Sequence, residues 1–450
     1  MVKHGMAITA LFLAVALTFS GCSFVGLDPQ TLMHAPKPTG ENEADIQSLL
    51  DHTAAGQFAL KYPAAGEYRS AILKHNLCGD ATDEAIAFYQ QKDEVSATHI
   101  VFMQKQNGTW KNIGAYTSQA AQVDRVCFGD VNGDGRDEAI VGWGSSLNNN
   151  GAICVYSYKN GSMAEQKLSQ SYTELAVMDF DGDGKDEIFT ASVTNGDRPA
   201  AARLLRIKDG GMEVLGTAPL DTGVTKYDSM KTGLVNEKQK GIVLDGVKTS
   251  DTMVTELLYW DAKAKKFCAP FYDATTKTAK STQRNTTVVS KDINGDRIIE
   301  IPIVTLMPGY SGITADEADY LTNWHRYDTS TNTFVRVMSM VVNSSDGYWF
   351  AVPDIWRGAI TTKLDPSTRS FSFFEWKKES GNAEGKIGAQ LLKIEVFTRA
   401  EWNRLSGSGG YFEIESKDNI VFAAKVPSPD SRLSLTEDEV KNAFRLISRD

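Results

Sequence analysis

The chain has 450 residues, of which 42% are hydrophobic and 23% are charged, and its formal net charge is −10. These proportions are those of a folded soluble protein with room for two or three domains, and they exclude collagen-like, disordered and polytopic membrane chains. The acidic balance argues against a nucleic-acid partner, and six histidines are too few for a histidine-rich metal or acid–base site.

Residues 1–22 have the pattern of a bacterial secretory signal. Lys3 supplies the positive start, and the apolar run from Met6 to Phe19 is too short to span about 30 Å of hydrocarbon. The run ends in FSGC, which resembles a lipobox, where small residues precede a cysteine that is diacylated. The sequence therefore predicts a lipoprotein signal peptide at 1–21 and lipidation of Cys22, and two acyl chains are enough for stable anchoring. An ordinary signal peptide with a chance cysteine is the alternative.

Residues 22–61 are predicted to hold the lipidated cysteine, a proline-containing spacer and a short helix. The helix is expected at about 43–53, with Ile46, Leu49 and Leu50 on one side. Four further cysteines allow three disulfide pairings, which an exported location permits. Buried free thiols are an equal alternative for these four, Cys78, Cys127, Cys154 and Cys268.

An internal repeat organises the middle of the chain. DVNGDGRDE at 130–138, DFDGDGKDE at 179–187 and DINGDRIIE at 292–300 share one pattern, and an apolar run follows each. NLCGDATDE at 76–84 is a damaged copy. The spacing places another copy near 233, where GLVNEKQKG has lost its acidic residues but is followed by the apolar run IVLDG. Five repeats of about 50 residues result.

Each repeat contains about four strand-sized runs separated by turn residues such as Asn-Gly. Four antiparallel strands in each of several successive units are typical of β-propeller blades. We therefore expect a mainly β fold, with a propeller of five four-stranded blades over 62–340. After the loop at 130 the predicted strands are Ala139–Trp143, Ile153–Tyr158, Ala164–Leu168 and Thr173–Met178.

The repeated loops have the composition of a calcium site. Oxygen donors fall at positions 1, 3, 5 and 9 with a backbone carbonyl at 7, and the glycine at 6 permits a sharp turn. The loops are not EF-hands, because position 12 is Val141, Thr190 or Ile303 and a strand follows where an EF-hand has a helix. The clustered carboxylates would repel one another unless a cation neutralised them. Simple Asp-Gly hairpin turns are the alternative interpretation.

We expect structural Ca²⁺ in the first two intact loops, and a third, weaker site where Arg297 replaces the glycine. The loop at 76–84 keeps only Asp80 and Glu84 and is expected to be empty. The predicted ligands are Asp130, Asn132, Asp134, the Arg136 carbonyl and Glu138; Asp179, Asp181, Asp183, the Lys185 carbonyl and Glu187; and Asp292, Asn294, Asp296 and Glu300.

These segments resemble FG-GAP (VCBS-type) repeats, the propeller repeats of integrin α-subunit heads and of many exported bacterial proteins. The resemblance covers about 62–310 and implies loops that bind structural Ca²⁺ and stiffen the blades. The whole layout also resembles uncharacterised lipoproteins of Gram-positive bacteria that carry FG-GAP repeats. These resemblances imply a propeller fold and bound Ca²⁺ but no particular activity, because propellers host unrelated functions.

From about 341 to 450 the repeat is lost, and we predict a small C-terminal α/β domain, with a further blade as the alternative. A helix is expected at Arg399–Leu405, and a last helix begins with Thr436 as N-cap and Glu439 in a capping box. That helix is expected to place Val440, Phe444 and Ile447 on one face. The strand aromatics are expected to be sheet core rather than a binding patch; they are Tyr348, Trp349, Phe350, Trp356 and Trp376.

The leading functional hypothesis is a lipoprotein at the outer face of the bacterial cytoplasmic membrane. It would act as a non-catalytic, adhesion-like binding or scaffold module for an unknown protein or glycan. An envelope hydrolase that uses a carboxylate pair, or a ligand-sensing lipoprotein, is the alternative. No G-x-S-x-G or H-E-x-x-H motif is present, and His75, His99 and His325 are isolated in the sequence.

Overall fold

The computed structural model describes residues 41–144, 151–314, 317–378, 385–405 and 409–447. The predicted signal peptide, Cys22 and the spacer up to residue 40 lie outside this range. Within the described ranges, no helix combines the length and apolar character that a membrane span requires.

The fold is mainly β, with strands that follow one another along the chain into six antiparallel sheets. The first sheet contains β1 (Phe58–Leu60), β2 (Ile72–His75), β3 (Glu84–Gln91), β4 (Thr98–Gln106) and β5 (Thr109–Ser118). The second has the order β6 (Val123–Gly129), β7 (Glu138–Trp143), β8 (Gly151–Lys159) and β9 (Ser162–Tyr172). The third has the order β10 (Glu174–Met178), β11 (Glu187–Ser192), β12 (Ala201–Lys208) and β13 (Gly211–Pro219).

The fourth sheet has the order β14 (Lys226–Leu234), β15 (Lys240–Val247), β16 (Met253–Asp261) and β17 (Lys266–Cys268). The fifth contains β18 (Ile301–Leu306), β19 (Tyr320–Asp328), β20 (Thr333–Asn343), β21 (Tyr348–Ala351) and, at its edge, β27 (Phe444–Leu446). The sixth contains β22 (Ile360–Asp365), β23 (Ser370–Lys377), β24 (Lys386–Thr398), β26 (Ile420–Lys425) and β25 (Phe412–Lys417).

The strands follow the repeat that the sequence predicts. An apolar strand follows directly on each of the five repeat copies. These strands are β3, β7, β11, β15 and β18; the first four are largely buried, and β18 is buried at its start. The tight turns also behave as expected, because Asn107 and Asn160 have φ of 52° and each precedes a glycine with positive φ. The prediction of four-stranded antiparallel units is therefore confirmed at the level of the individual sheets.

The described residues divide into two compact units, those within Met1–Val123 and Ser157–Glu165, and those within Asp124–Tyr156 and Gln166–Asp450. In the first unit, helix α1 (Glu41–Ala54) buries Ile46 and Leu50 in one cluster with Ala87 of β3 and Val101 of β4. Leu49 packs on the same cluster. The predicted helix and its apolar face are thus confirmed, and the helix covers one face of the first sheet.

In the second unit, the fifth and sixth sheets share one apolar cluster. Phe350, Trp356 and Phe373 are fully buried there, and the Trp356 indole donates a hydrogen bond of 2.6 Å to the Leu433 carbonyl. Tyr348 is also buried, so the expectation that these aromatics form sheet core is confirmed for Tyr348 and Phe350, whereas Trp356 is buried in the same core from a short 3-10 helix, Asp354–Trp356. The side chains of Trp349 and Trp376 are half-buried.

The C-terminal helices are confirmed except for the end of the last one. Helix α2 spans Arg399–Leu405, and helix α3 (Glu437–Ala443) has the complete capping box of Thr436 and Glu439. The predicted continuation of α3 is wrong, because β27 begins at Phe444 and pairs with the edge of β21. Pairing satisfies the backbone of both segments and buries Phe444, whose ring centroid lies 4.9 Å from that of Tyr348.

The four cysteines after Cys22 are free thiols. The sequence left open whether these cysteines form disulfides or remain free thiols, and in the structure they are free thiols. Cys154 is buried within β8, and the other three, Cys78, Cys127 and Cys268, are partly exposed.

A fully buried ion pair connects β15 to the segment before β18. Arg284 Nη2 lies 2.8 Å from Asp245 Oδ1, and neither side chain is exposed. The Thr255 hydroxyl and the Ser290 backbone N–H also donate to the Asp245 carboxylate, at 2.6 and 2.7 Å. The buried negative charge is therefore neutralised and hydrogen-bonded, which is the condition under which a buried carboxylate is tolerated.

Candidate metal centre

Four of the repeated loops share one backbone conformation, here called the wrap, which is defined by the same hydrogen bond. In each, the side-chain oxygen of the residue at position 1 accepts a hydrogen bond from the backbone N–H of the glycine three residues later. The distances are 2.8 Å from Gly79 to Asn76, 2.6 Å from Gly133 to Asp130, 2.7 Å from Gly182 to Asp179 and 2.7 Å from Gly295 to Asp292. The damaged copy at 76–84 therefore keeps the loop shape, because an asparagine oxygen accepts as an aspartate oxygen does.

The glutamate at position 9 has a structural role that sequence reasoning missed. All four of these glutamates are buried, and one carboxylate oxygen accepts from the backbone near the start of the same loop. The donors are Leu77 and Cys78 for Glu84, Asn132 for Glu138, Phe180 for Glu187, and Ile293 for Glu300, at 2.8 to 3.2 Å. Each glutamate thereby holds the two ends of its loop together, with or without a metal ion.

In the loop at 179–187, three carboxylates converge. One oxygen each of Asp179, Asp181 and Glu187 lie within 4.8 Å of one another. Burial is the main cause that raises the pKa of Glu187 to about 7, and the negative charges of Asp181, Asp183 and Asp179 contribute to this rise. Asp183 accepts from the Lys185 backbone N–H and is not part of the converging group.

In the loop at 292–300, Asp292, Asp296 and Glu300 converge, so the second aspartate comes from position 5 instead of position 3. Glu300 is fully buried, and its Oε1 has no hydrogen-bond partner among the described residues. Burial is the main cause that raises the pKa of Glu300 to about 7, with the charges of Asp296 and Asp292 adding to it. A carboxylate oxygen that is buried and unpaired among other carboxylates fits a hard cation with oxygen ligands.

Arg297 does not disrupt the wrap. It adopts a φ of 70°, close to the 85° and 84° of Gly135 and Gly184 at the same position of the other loops. Its backbone N–H donates to Asp292 Oδ2 at 2.8 Å, as that of Gly135 does to Asp130. The arginine therefore carries the strain of a left-handed conformation, which costs an ordinary residue about 1–2 kcal/mol.

Arg297→Gly is expected to raise the free energy of unfolding by about 0.5–1 kcal/mol, the relief of that strain less the greater freedom of glycine in the unfolded chain. It should also strengthen calcium binding by removing a positive charge from the loop. Denaturant unfolding and calcium titration would measure both effects. Lys265→Gly, at a φ of 51° in the turn between β16 and β17, is the matched control and should change stability alone.

The loop at 130–138 arranges its predicted ligands differently. Arg136 Nη2 lies 2.8 Å from Asp134 Oδ2, and the Asn132 amide donates to Glu138 Oε1 at 2.5 Å. A Cβ on Gly133 would stand 2.5 Å from Lys185 Nζ, so an ammonium group also lies beside this loop. Within the described ranges its carboxylates do not form a converging group of three. The Arg136 guanidinium and the Asn132 amide thus contact two of the carboxylates that the sequence assigned to calcium, Asp134 and Glu138.

Comparisons with known proteins are limited to weak structural likeness. No protein-family model matches the chain, and no curated protein sequence is similar to it. Similar solved structures include the exotype rhamnogalacturonan lyase YesX (10% identity, TM-score 0.29, 84% of this chain and 92% of that one). Others are the Bacillus licheniformis rhamnogalacturonan lyase PL11 (11%, 0.29, 85% and 92%) and Saccharomyces cerevisiae Sqt1 (10%, 0.31, 75% and 94%). At these TM-scores the likenesses carry no argument about this chain.

Proposed function

We propose that the chain is a calcium-stabilised β-propeller lipoprotein of the FG-GAP type, anchored at the outer face of the bacterial cytoplasmic membrane. In this proposal the first five sheets are the five blades, and the sixth sheet with α2 and α3 belongs to the C-terminal domain. The protein serves as a non-catalytic binding or scaffold module for a protein or glycan.

The observation that carries the proposal is the common geometry of the loops. The wrap recurs in four copies, and in two of them three carboxylates converge within 4.8 Å around a buried glutamate. Like charges so close together are unfavourable without a counter-ion, and flexible sets of oxygen ligands favour Ca²⁺ over softer metals. The sites at 179–187 and 292–300 are therefore the principal ones.

The loop at 130–138 is the weakest of the three proposed sites. A cation there has to displace Arg136 from Asp134 and the Asn132 amide from Glu138. The carbonyl ligands at Arg136 and Lys185 remain part of the proposal. Equilibrium dialysis of the purified protein should give two Ca²⁺ per chain at moderate affinity and a third at higher concentration; no bound Ca²⁺ at millimolar levels would refute the calcium assignment.

A non-catalytic role is supported by the surroundings of the histidines. His99 stacks on Tyr89 at 4.9 Å between centroids, and its Nε2 lies 3.0 Å from Glu94 Oε2. His325 Nδ1 lies 3.0 Å from the Asn323 carbonyl, and burial lowers the pKa of its imidazole. These contacts give both rings a packing role in their sheets.

Lipidation is tested by Cys22→Ala, which is expected to move the protein from the membrane fraction to the medium or to leave it as an unprocessed precursor. The reason is that the diacylated cysteine is the proposed anchor, and two acyl chains are needed for stable binding. Fractionation and intact-mass measurement in a Gram-positive host would detect the change. Cys268→Ala is the control and should stay in the membrane fraction; an unacylated wild-type protein would contradict the assignment.

A further inference from the structure

One cleft lies within the second unit and has no residue of the metal loops in its lining. Its volume is about 990 Å³, at the upper end of the range for ligand sites, which suits a ligand of several sugar-sized units. It is lined by the end of β9, by the ends of β11, β12 and β13 and the turns that join them, and by the segment around Tyr272 and Lys277.

The charges in this cleft are all of one sign. Arg198, Arg203 and Lys277 line it, and no aspartate or glutamate does so among the described residues. None of the three forms an ion pair within the described part of the chain, whereas nearby Arg206 and Lys248 pair with Glu213 and Asp221 at 3.0 Å. Three unpaired cations in one cleft of a protein with net charge −10 favour an anionic ligand.

Of the three cations, Arg203 is the one that lies on a strand. It lies on β12 opposite Thr190 of β11 and Thr217 of β13, in the middle of a sheet, and its side chain is half-buried. A charge-assisted hydrogen bond from Arg203 to a ligand would be strengthened because the residue is held on a strand and is partly shielded from solvent. The guanidinium group presents paired donors that match a carboxylate or phosphate.

The rest of the cleft lining is suited to a ligand that carries many hydroxyl groups. Small polar residues from β9, β13 and the connecting segments line the cleft, and their side chains can both donate and accept hydrogen bonds; they include Ser169, Ser171, Asn195, Thr217 and Thr222. Tyr272 adds an aromatic ring with a polar tip, on which the apolar face of a sugar ring can pack. This combination matches a ligand that is rich in hydroxyls and also carries negative charge.

We propose that this cleft binds an acidic oligosaccharide, with a uronate carboxylate on Arg203 and further carboxylates near Arg198 and Lys277. The proposal rests on the binding role proposed above and names the class of its ligand. A polyol phosphate chain offers the same combination of hydroxyls and anionic groups, and the experiment separates the two.

The test is isothermal titration of the calcium-loaded protein with a hyaluronan tetrasaccharide, poly(glycerol phosphate) and neutral maltotetraose. We expect binding of the hyaluronan fragment that weakens at high salt, and weaker or absent binding of the other two. Arg203→Gln should weaken it by about 10- to 100-fold, as expected for a lost hydrogen bond to a charged group. The double variant Arg198→Gln/Lys277→Gln should weaken it by a smaller factor.

Lys208→Gln is the matched control, because it removes an exposed cation from the other end of β12 and should leave the affinity unchanged. The proposal would be overturned if Arg203→Gln bound the hyaluronan fragment as tightly as the wild type does, or if maltotetraose bound as tightly as the hyaluronan fragment. If poly(glycerol phosphate) bound more tightly than the hyaluronan fragment and Arg203→Gln abolished that binding, the group on Arg203 would be a phosphate and not a uronate. The proposed ligand class would then be wrong.

Failure here is distinguishable from failure of the calcium proposal. If calcium raises the melting temperature and no glycan binds, only the cleft assignment is wrong. If the hyaluronan fragment binds and calcium has no effect on melting, the cleft assignment stands and the calcium sites are wrong. The same calcium-induced melting shift in Arg203→Gln and in the wild type would show that the variant is folded.

Discussion

Removal of calcium is expected to lower the free energy of unfolding by about 3–5 kcal/mol. Each of the two principal sites contributes about 1.4–2.7 kcal/mol at roughly 10–100 times its dissociation constant, since an ion that binds only the folded state stabilises it by mass action. Affinities of about 10⁻⁴–10⁻³ M already suffice outside the cell. Denaturant unfolding with excess calcium and with chelator would measure the difference, and identical curves would contradict metal binding in the loops.

Glu187→Gln and Glu300→Gln should each remove about half of this stabilisation. The single amide oxygen of glutamine can accept from the backbone N–H of Phe180 or Ile293, or it can face the ion, but it cannot do both. The loop closure is therefore kept while the ligand charge is lost. In chelator the variants should be as stable as the wild type or more stable, because a buried carboxylate among other carboxylates has been neutralised.

Glu84→Gln is the matched control for this series. Glu84 holds its loop through the Leu77 and Cys78 backbone N–H groups, but its loop has no converging group of carboxylates among the described residues. Its replacement should change stability equally with and without calcium, and it should not change the number of bound ions. An equal loss of the calcium effect in Glu84→Gln and Glu187→Gln would refute the assignment of individual loops.

Arg284→Met is expected to destabilise the protein by about 3–5 kcal/mol, because it leaves the Asp245 carboxylate charged, buried and without its cation. The double variant Asp245→Asn/Arg284→Met should recover part of this loss. The amide oxygen of the introduced asparagine can still accept from the Ser290 backbone N–H, and its N–H group can donate to the Thr255 hydroxyl oxygen, while no uncompensated charge remains. The free energies of unfolding of the wild type, the single variant and the double variant would be measured by denaturant unfolding.

The control for the buried pair is Arg206→Met, which breaks the partly exposed pair with Glu213. Pairs at the surface contribute about 0–1 kcal/mol, so this variant should be nearly as stable as the wild type. If Arg284→Met cost no more than Arg206→Met, or if the double variant were no more stable than Arg284→Met, the role assigned to the buried charge would be wrong.

The sequence determined the features that depend on residues close together in the chain. An Asp or Asn followed three residues later by a glycine specifies a loop in which the first side chain accepts from the glycine backbone N–H, so all four copies have the same conformation. The apolar runs after each loop specify the strands β3, β7, β11, β15 and β18, and the capping box specifies the start of α3. These signals are local, and tertiary packing reinforces them.

The tertiary structure decided what depends on residues far apart in the chain. Phe444 could continue a helix by its pattern, but the free edge of β21 offers backbone partners and a buried place beside Tyr348. Lys185 comes to lie beside Gly133 and changes the surroundings of a loop that looks intact in the sequence. Arg203 and Lys277 line one cleft although they belong to different repeats. No local pattern reveals such encounters, because their energies depend on which surfaces the folded sheets bring together.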